Sequence, residues 1–210
     1  VAGLVLTGCG STPDGGHAAT SITAVSVSVV DSGFGQRNNI VEALIIVKSN
    51  DPRAVGEFVT VSVNFLDSTG EILATEEQVE SFTWDSQELA LPVHANIDGD
   101  VDSIEVSTSL SDHGTTDAKP KLREVDARLE SGEFAPTVAT FELVNRSSEP
   151  LTDLRVGVVC FDAKGNIVGG GREYPALIAP RKEIKVSADV VVQSSAKKCR
   201  AFPNYGSLTS

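Results

Sequence analysis

Alternation of apolar and polar residues with a period of two dominates this chain. It is clearest over residues 59–65, and it returns over residues 89–97 and 184–192. A period of two over about five to nine residues is typical of strands that bury one face. No stretch shows a sustained helical period of about 3.6 residues. The pattern therefore predicts an all-β protein.

The strand pattern also occurs twice, which indicates an internal duplication. Three blocks of the first copy match three blocks of the second in the same order: residues 45–52 with 142–150, 63–73 with 159–168, and 88–91 with 183–186. Each copy holds about six or seven short strands separated by turns every 8–12 residues, roughly the spacing of a β-sandwich. Two repeats predict a tandem pair of domains, because a solenoid needs at least about three.

The duplication divides the chain into two expected domains, over residues 22–111 and 121–205. The segment between them, residues 112–120, is polar and contains glycine and proline, as a linker should. Residues 9–21 are rich in glycine, serine and threonine and cannot bury a core, so they are expected to form a flexible tether. Residues 206–210 form a short tail.

Each copy contains a hairpin pattern of phenylalanine, aspartate, glycine and two apolar residues. These are Phe65, Asp67, Gly70, Ile72 and Leu73 in the first copy, and Phe161, Asp162, Gly165, Ile167 and Val168 in the second. Aspartate and glycine supply the turn between two strands. Over residues 25–110 and 122–202 the chain resembles the FxLYD-type domains of bacterial envelope proteins. The resemblance implies two Ig-like β-sandwiches and no catalytic residues.

The N-terminal residues carry a second resemblance. An apolar run over residues 1–6 ends in Leu6, which is followed by Thr7, Gly8 and Cys9. At this position the four residues resemble the lipobox of a bacterial lipoprotein signal peptide. A signal peptide also needs a charged segment before its apolar run, so residues 1–8 are expected to be only part of one.

The lipobox resemblance implies that Cys9 is acylated and anchors an extracytoplasmic protein to the bacterial cell membrane. Small residues beside the cleaved bond suit a peptidase, and the thiol is the nucleophile that accepts the lipid. The alternative is an incidental cysteine in a first strand or a disordered tail. Residues 1–6 are too few to span a bilayer, which takes about 20 apolar residues.

Cys160 and Cys199 remain as a pair when Cys9 is assigned to lipid. An even number of cysteines in an oxidising compartment favours a disulfide. A bridge between them would close a loop of about 40 residues, which corresponds to roughly 4 kcal/mol of stability. The alternative is two buried free thiols.

Charge narrows the choice of partners. The chain has 29 acidic and 17 basic residues, and its net charge is −12. Phosphate groups would repel such a chain, which argues against nucleic acid as a partner. The same repulsion argues against electrostatic adhesion to anionic lipid, so the lipid anchor is the expected link to the membrane.

Asp98, Asp100 and Asp102 surround Gly99 and form the sharpest acidic cluster. Alternating carboxylates can surround Ca²⁺ with oxygen ligands. The spacing does not match an EF-hand, and the cluster lies where a turn should join two strands. A solvated turn is therefore the main interpretation, and a weak calcium site is the alternative.

Three other features have plain structural interpretations. The alternation around His94 directs its side chain to solvent, and Trp84 is expected in the core. The glycines at 169–171 follow a strand, and the residues after them do not suggest the helix that a phosphate loop needs. They are expected to form a flexible hairpin edge.

No catalytic constellation emerges from the sequence, so the protein is expected not to be an enzyme. The expected function is an interaction or scaffold module of the bacterial cell envelope that binds an envelope protein. One alternative is a calcium-dependent adhesion or stabilising module that uses Asp98, Asp100 and Asp102. Another is an accessory subunit of an envelope enzyme.

Overall fold

The computed structural model describes residues 25–111, 118–130 and 137–206, and these residues form an all-β structure, as predicted. Their strands, in chain order, are β1 (Ser28–Arg37), β2 (Ile40–Lys48), β3 (Phe58–Leu66), β4 (Ile72–Ser81), β5 (Glu88–Asn96), β6 (Ser103–Ser111), β7 (Val125–Glu130), β8 (Val138–Val144), β9 (Leu151–Thr152), β10 (Leu154–Phe161), β11 (Ile167–Glu173), β12 (Leu177–Ile178), β13 (Glu183–Val192) and β14 (Lys198–Tyr205). One short 3-10 helix covers Pro52–Ala54. No helix in the described residues is long and apolar enough to cross a membrane.

The N-terminal half, residues 25–111, consists of two three-stranded antiparallel sheets. One sheet has the order β1-β2-β5 and the other the order β4-β3-β6. Their inner faces share one hydrophobic core. On β3, Val59, Val61, Val63 and Phe65 are fully buried in this core, as the alternation predicts. This half therefore has the layered form of a β-sandwich.

The C-terminal half, residues 118–206, contains a closed barrel with the strand order β10-β11-β13-β8-β7-β14. Its core packs around the inner faces of these strands. The expectation of an Ig-like β-sandwich is met only in part here, because β11 also pairs with β13 and β14 also pairs with β7, which closes the barrel. Gly169, Gly170 and Gly171 form the β11 side of the first closing pairing.

The three glycines correct one prediction. They lie within β11 and are buried, so they are not a flexible hairpin edge. A Cβ atom on Gly170 would meet the Val158 carbonyl oxygen and the Leu44 side chain. Glycine is needed at this position because neighbouring backbone lies too close for a side chain.

Four strand pairings recur in the two halves. In one sheet, β1-β2 corresponds to β7-β8 and β2-β5 corresponds to β8-β13. In the other, β3-β4 corresponds to β10-β11 and β3-β6 corresponds to β10-β14. All eight pairings are antiparallel. The sequence repeat therefore corresponds to a repeated pattern of strand pairing.

The β3-β4 and β10-β11 hairpins repeat in atomic detail. Asp67 Oδ1 accepts hydrogen bonds from the backbone N–H groups of Thr69 and Glu71. Asp162 Oδ1 accepts the equivalent bonds from the backbone N–H groups of Lys164 and Asn166. Side-chain donors, from Thr69 and Asn166 respectively, lower the pKa of each aspartate most strongly, and the backbone donors lower it further. Gly70 and Gly165 adopt positive φ angles of 84° and 93°, a backbone conformation that favours glycine.

The two halves meet along a seam between sheet faces. The β1-β2-β5 face contributes Leu44, Ile46 and Ala90, and the β10-β11-β14 face contributes Val159, Phe161, Ile167 and Phe202. All seven residues are buried. The seam explains why seven consecutive residues of β2 are buried, because one face of this strand lines the N-terminal core and the other lines the seam.

Glycine brings the backbones into contact across the seam. A Cβ atom on Gly157 of β10 would lie 2.5 Å from the carbonyl oxygen of Ala90 and 3.0 Å from its Cβ atom. Cβ atoms on Gly33 and Gly35 of β1 would meet the carbonyl oxygens of Ile167 and Val191. These glycines thus set the distance between the two halves.

We expect Gly157→Ala to destabilise the protein by roughly 1–3 kcal/mol, the range typical of overpacking. The added methyl group must push Ala90 away, and this separates the two sheet faces. Chemical denaturation monitored by fluorescence measures the change. Ser107→Ala, on an exposed position of β6, is the control and should change stability by less than about 0.5 kcal/mol. Equal stabilities for the two variants would contradict the close contact.

Candidate functional site

Polar and charged side chains gather at one margin of the seam. Glu80 at the end of β4 faces Arg155 of β10, and Glu42 of β2 faces Arg172 of β11. Both glutamates belong to the N-terminal half and both arginines to the C-terminal half. The two ion pairs therefore cross the seam.

Glu80 is one of two buried carboxylates at this margin. Its side chain is 10% exposed, and its Oε1 accepts a hydrogen bond of 2.8 Å from Arg155 Nη1. Its Oε2 is buried and has no hydrogen-bond partner among the described residues. Burial raises the pKa of Glu80 above its ordinary value, and the hydrogen bond and charge of Arg155 oppose this rise only in part.

Glu42 is buried between the side chains of Arg172 and His94. Its Oε1 accepts a hydrogen bond of 3.2 Å from Arg172, and its Oε2 lies 3.0 Å from His94 Nδ1. The His94 side chain is 42% exposed, so the predicted direction towards solvent is broadly correct. The sequence did not indicate its contact with Glu42, because Glu42 lies on the neighbouring strand at the cross-strand position.

An uncharged network joins the halves beside these ion pairs. Gln87 donates to Asn204 Oδ1 at 2.8 Å, and the Thr83 hydroxyl donates to the same oxygen at 3.0 Å. All three side chains are buried. Trp84 is buried next to them, as predicted, and meets the Tyr205 ring edge-on at a centroid distance of 6.3 Å.

A small cavity of about 20 Å³ lies among these groups. The polar side chains that line it are Gln78, Glu80, Arg155, Arg172, Tyr174 and Asn204. Arg155 and Tyr174 also line a neighbouring surface depression of about 260 Å³, together with Asp153 and Pro175. Tyr174 is 55% exposed. This margin of the seam combines buried charge, a cavity and an exposed aromatic ring.

The disulfide expected between Cys160 and Cys199 is present, with sulfur atoms 2.03 Å apart. The two cysteines are direct cross-strand partners on β10 and β14. Both are buried in the core of the C-terminal half. The bridge therefore fixes the register of two strands that also contribute to the seam.

Asp98, Asp100 and Asp102 lie in the connection between β5 and β6 and are exposed. Gln36 holds this turn, because its amide donates to the Gly99 carbonyl at 2.6 Å and accepts from the Val101 N–H at 2.9 Å. In the described ranges, no group of three or more histidine, cysteine or acidic side chains is placed to hold a metal ion. The structure thus does not bring the three aspartates together as ligands.

The expected signal peptide, Cys9 and the tether lie outside the described residues, as does most of the linker and tail. Only residues 118–120 of the linker and Gly206 of the tail are described. The Lys119 N–H donates to the Thr83 carbonyl at 2.7 Å, so the end of the linker is attached to the N-terminal half.

Unequal charge in the two halves is a sequence feature that the overall composition hides. Residues 25–111 carry 15 acidic and 3 basic side chains, a net charge of −12. Residues 118–206 carry 11 acidic and 14 basic side chains, a net charge of +3. Counting charge for each expected domain would have revealed this difference. This difference predicts that ion pairs across the seam take their acidic member from the N-terminal half and their basic member from the C-terminal half. It does not identify the individual residues.

No protein-family model matches the chain, and no curated protein shows significant similarity to it.

We expect Glu80→Gln to flatten the pH dependence of stability. Because the pKa of Glu80 is raised in the folded protein, the folded state holds the proton more tightly than the unfolded chain. The wild-type free energy of unfolding should therefore lose a contribution as pH rises from the ordinary glutamate pKa through the folded value.

Urea denaturation at a series of pH values from acidic to neutral measures this effect. The difference between wild type and Glu80→Gln should change with pH in the stated direction. Glu77→Gln, which alters an exposed side chain on the same strand, is the matched control. Parallel pH profiles for the wild type and Glu80→Gln would contradict the effect of burial.

Proposed function

We propose that this protein is a non-enzymatic, lipid-anchored interaction or scaffold module of the bacterial cell envelope, with two tandem Ig-like domains. The seam carries this proposal. It buries a sheet face of each half, brings backbones into contact and joins the halves through ion pairs. A module of this kind can present binding surfaces on both halves at a fixed relative position.

Repetition supports the two-domain part of the proposal. Each half has its own hydrophobic core, and four antiparallel pairings and a hairpin recur between them. The seam joins faces that are not equivalent in the repeat. The first half contributes its β1-β2-β5 sheet, whereas the second contributes β10, β11 and β14, which correspond to β3, β4 and β6 of the first half. The contact is therefore head-to-tail.

The outer faces of the two described halves are polar. The outward side chains of β3 are Thr60, Ser62 and Asn64, and β6 adds Glu105 and further serines. The outer face of β8 and β13 likewise carries several charged and hydroxyl side chains. Polar terminal faces resist further stacking and keep such assemblies soluble.

The resemblance of Leu6, Thr7, Gly8 and Cys9 to a lipobox supports the anchor. A lipid on Cys9 would place the acidic N-terminal half nearest the membrane. Its net charge of −12 would be repelled by anionic headgroups. The segment between Cys9 and the first strand would then hold the folded part away from the lipid surface.

We expect the full-length precursor to incorporate a fatty acid at Cys9, and Cys9→Ser to abolish this incorporation. Metabolic labelling with an alkyne fatty acid in a bacterial host, followed by membrane fractionation, measures both acylation and retention. Thr7→Ser, which keeps a small residue near the cleavage position, is the control and should remain labelled. Equal labelling and membrane retention of wild type and Cys9→Ser would contradict the proposal.

A further inference from the structure

The N-terminal half has an open sheet edge at β6 that the C-terminal half does not have. β6 pairs with β3 along one edge, and within the described ranges no strand pairs with its other edge. The corresponding strand of the C-terminal half is β14, which pairs with β10 along one edge and with β7 along the other, over Cys199–Ala201. In the repeat, a strand therefore occupies the position that is free beside β6.

The other edge strands of the N-terminal half carry features that oppose strand addition. The β3-β4 pairing shifts register between Phe65 and Leu66, and β4 exposes Glu76 and Glu77. β5 contains Pro92, which has no N–H group to donate. β1 has a register shift of its own and packs against the C-terminal half. Bulges, charges, prolines and covering elements are the usual protection of an exposed edge.

β6 has none of this protection. Its nine residues, Ser103–Ser111, pair with β3 in one unbroken register. They include no proline, and Glu105 carries their single charge. A regular strand of this kind offers evenly placed N–H and C=O groups to another strand.

The inner face of β6 leaves apolar surface that an added strand could cover. Ile104, Val106 and Leu110 pack against the core of the N-terminal half but are only partly buried. The inward residues of the neighbouring strand β3 are fully buried. An added strand would place every second side chain beside these three residues. The geometry therefore favours an extended segment in which alternate residues are apolar.

Charge selects among such segments. Residues 25–111 have 15 acidic and 3 basic side chains, and Asp102 and Glu105 are exposed at β6. A second copy of the chain would bring the same excess of negative charge to the edge, so repulsion opposes the pairing of two β6 strands. A basic segment is attracted instead, because its charge is complementary.

We propose that β6 is the docking edge of the interaction module, and that its partner is a basic, extended segment of another protein. The segment adds to the β4-β3-β6 sheet as a fourth strand, a known mode of peptide recognition. Its apolar side chains cover Ile104, Val106 and Leu110, and a lysine or arginine lies beside Glu105. This proposal deepens the proposed function and rests on it, since it names the kind of partner that the module binds.

The test is a titration of the folded protein with synthetic peptides, followed by backbone amide NMR shifts and hydrogen exchange. The basic probe is Lys-Val-Thr-Val-Lys-Val-Thr-Val-Lys with blocked ends. It should shift the amides of Glu105, Ser107 and Ser109. It should also slow hydrogen exchange at alternate amides of β6, because only the N–H groups that point to the free edge gain a partner.

Two control peptides each change one property of the probe. Glutamate in place of every lysine should weaken binding by at least about tenfold, because the acidic half repels it. Proline in place of the two valines beside the central lysine should abolish the shifts, since proline cannot donate to a strand pairing. Binding of the basic probe should also weaken as the salt concentration rises from about 0.05 to 0.5 M.

Matched variants locate the docking edge. Glu105→Lys and Glu77→Lys both reverse an exposed charge of the β4-β3-β6 sheet, the first on the β6 edge and the second on the β4 edge. Glu105→Lys should weaken binding of the basic probe about fivefold, as expected when an opposite charge on an adjacent strand becomes a like charge. Glu77→Lys should weaken it by less than about twofold. The control peptides keep the test decisive if Glu105→Lys folds poorly.

The proposal is wrong if the basic probe leaves the β6 amides unshifted, if the shifts lie on β4 instead, or if the acidic peptide binds equally well. It is also wrong if the protein alone forms a dimer that protects the β6 amides, since a second copy would then occupy the edge. Each of these results would leave acylation of Cys9 unaffected, so it would remove the basic partner without removing the envelope anchor.

Discussion

Backbone contact across the seam is the constraint on which the rest of the structure depends. Gly157 allows β10 to approach Ala90, and Gly33 and Gly35 allow β1 to approach the opposite strands. At this distance, polar groups at the margin must find partners in the other half. The Glu80–Arg155 pair and the Gln87–Asn204 hydrogen bond meet that requirement. The same approach leaves a small cavity, and Glu80 is among the residues that line it.

Charge and apolar packing cooperate in this contact. The N-terminal half is strongly acidic and the C-terminal half is weakly basic, so long-range attraction favours their association. The apolar centre, which includes Leu44 and Phe202, supplies an attraction that salt does not screen. Hydrophobic burial therefore holds the halves together, while the ion pairs favour one relative orientation.

Period-two alternation was sufficient to predict β3, because one of its faces is buried and the other is polar. The duplicated hairpins were also predictable, since their aspartate and glycine positions have local roles. The seam was not, because residues 40–47 are apolar on both faces apart from Glu42, and the sequence does not show which element covers each face. Gly169–Gly171 were misinterpreted because glycine is common both in flexible segments and where backbones approach closely. Glu80 and Arg155 are distant in sequence, and no local pattern pairs them.

The central claim is that the seam makes the two halves one rigid body. Residual dipolar couplings of the backbone amides, measured in a weakly aligning medium, test it most directly. Couplings from residues 25–111 and from residues 118–206 should fit one common alignment tensor, with the orientation of the halves given by the structure. Two tensors that differ in magnitude would show that the halves move independently and would contradict the claim.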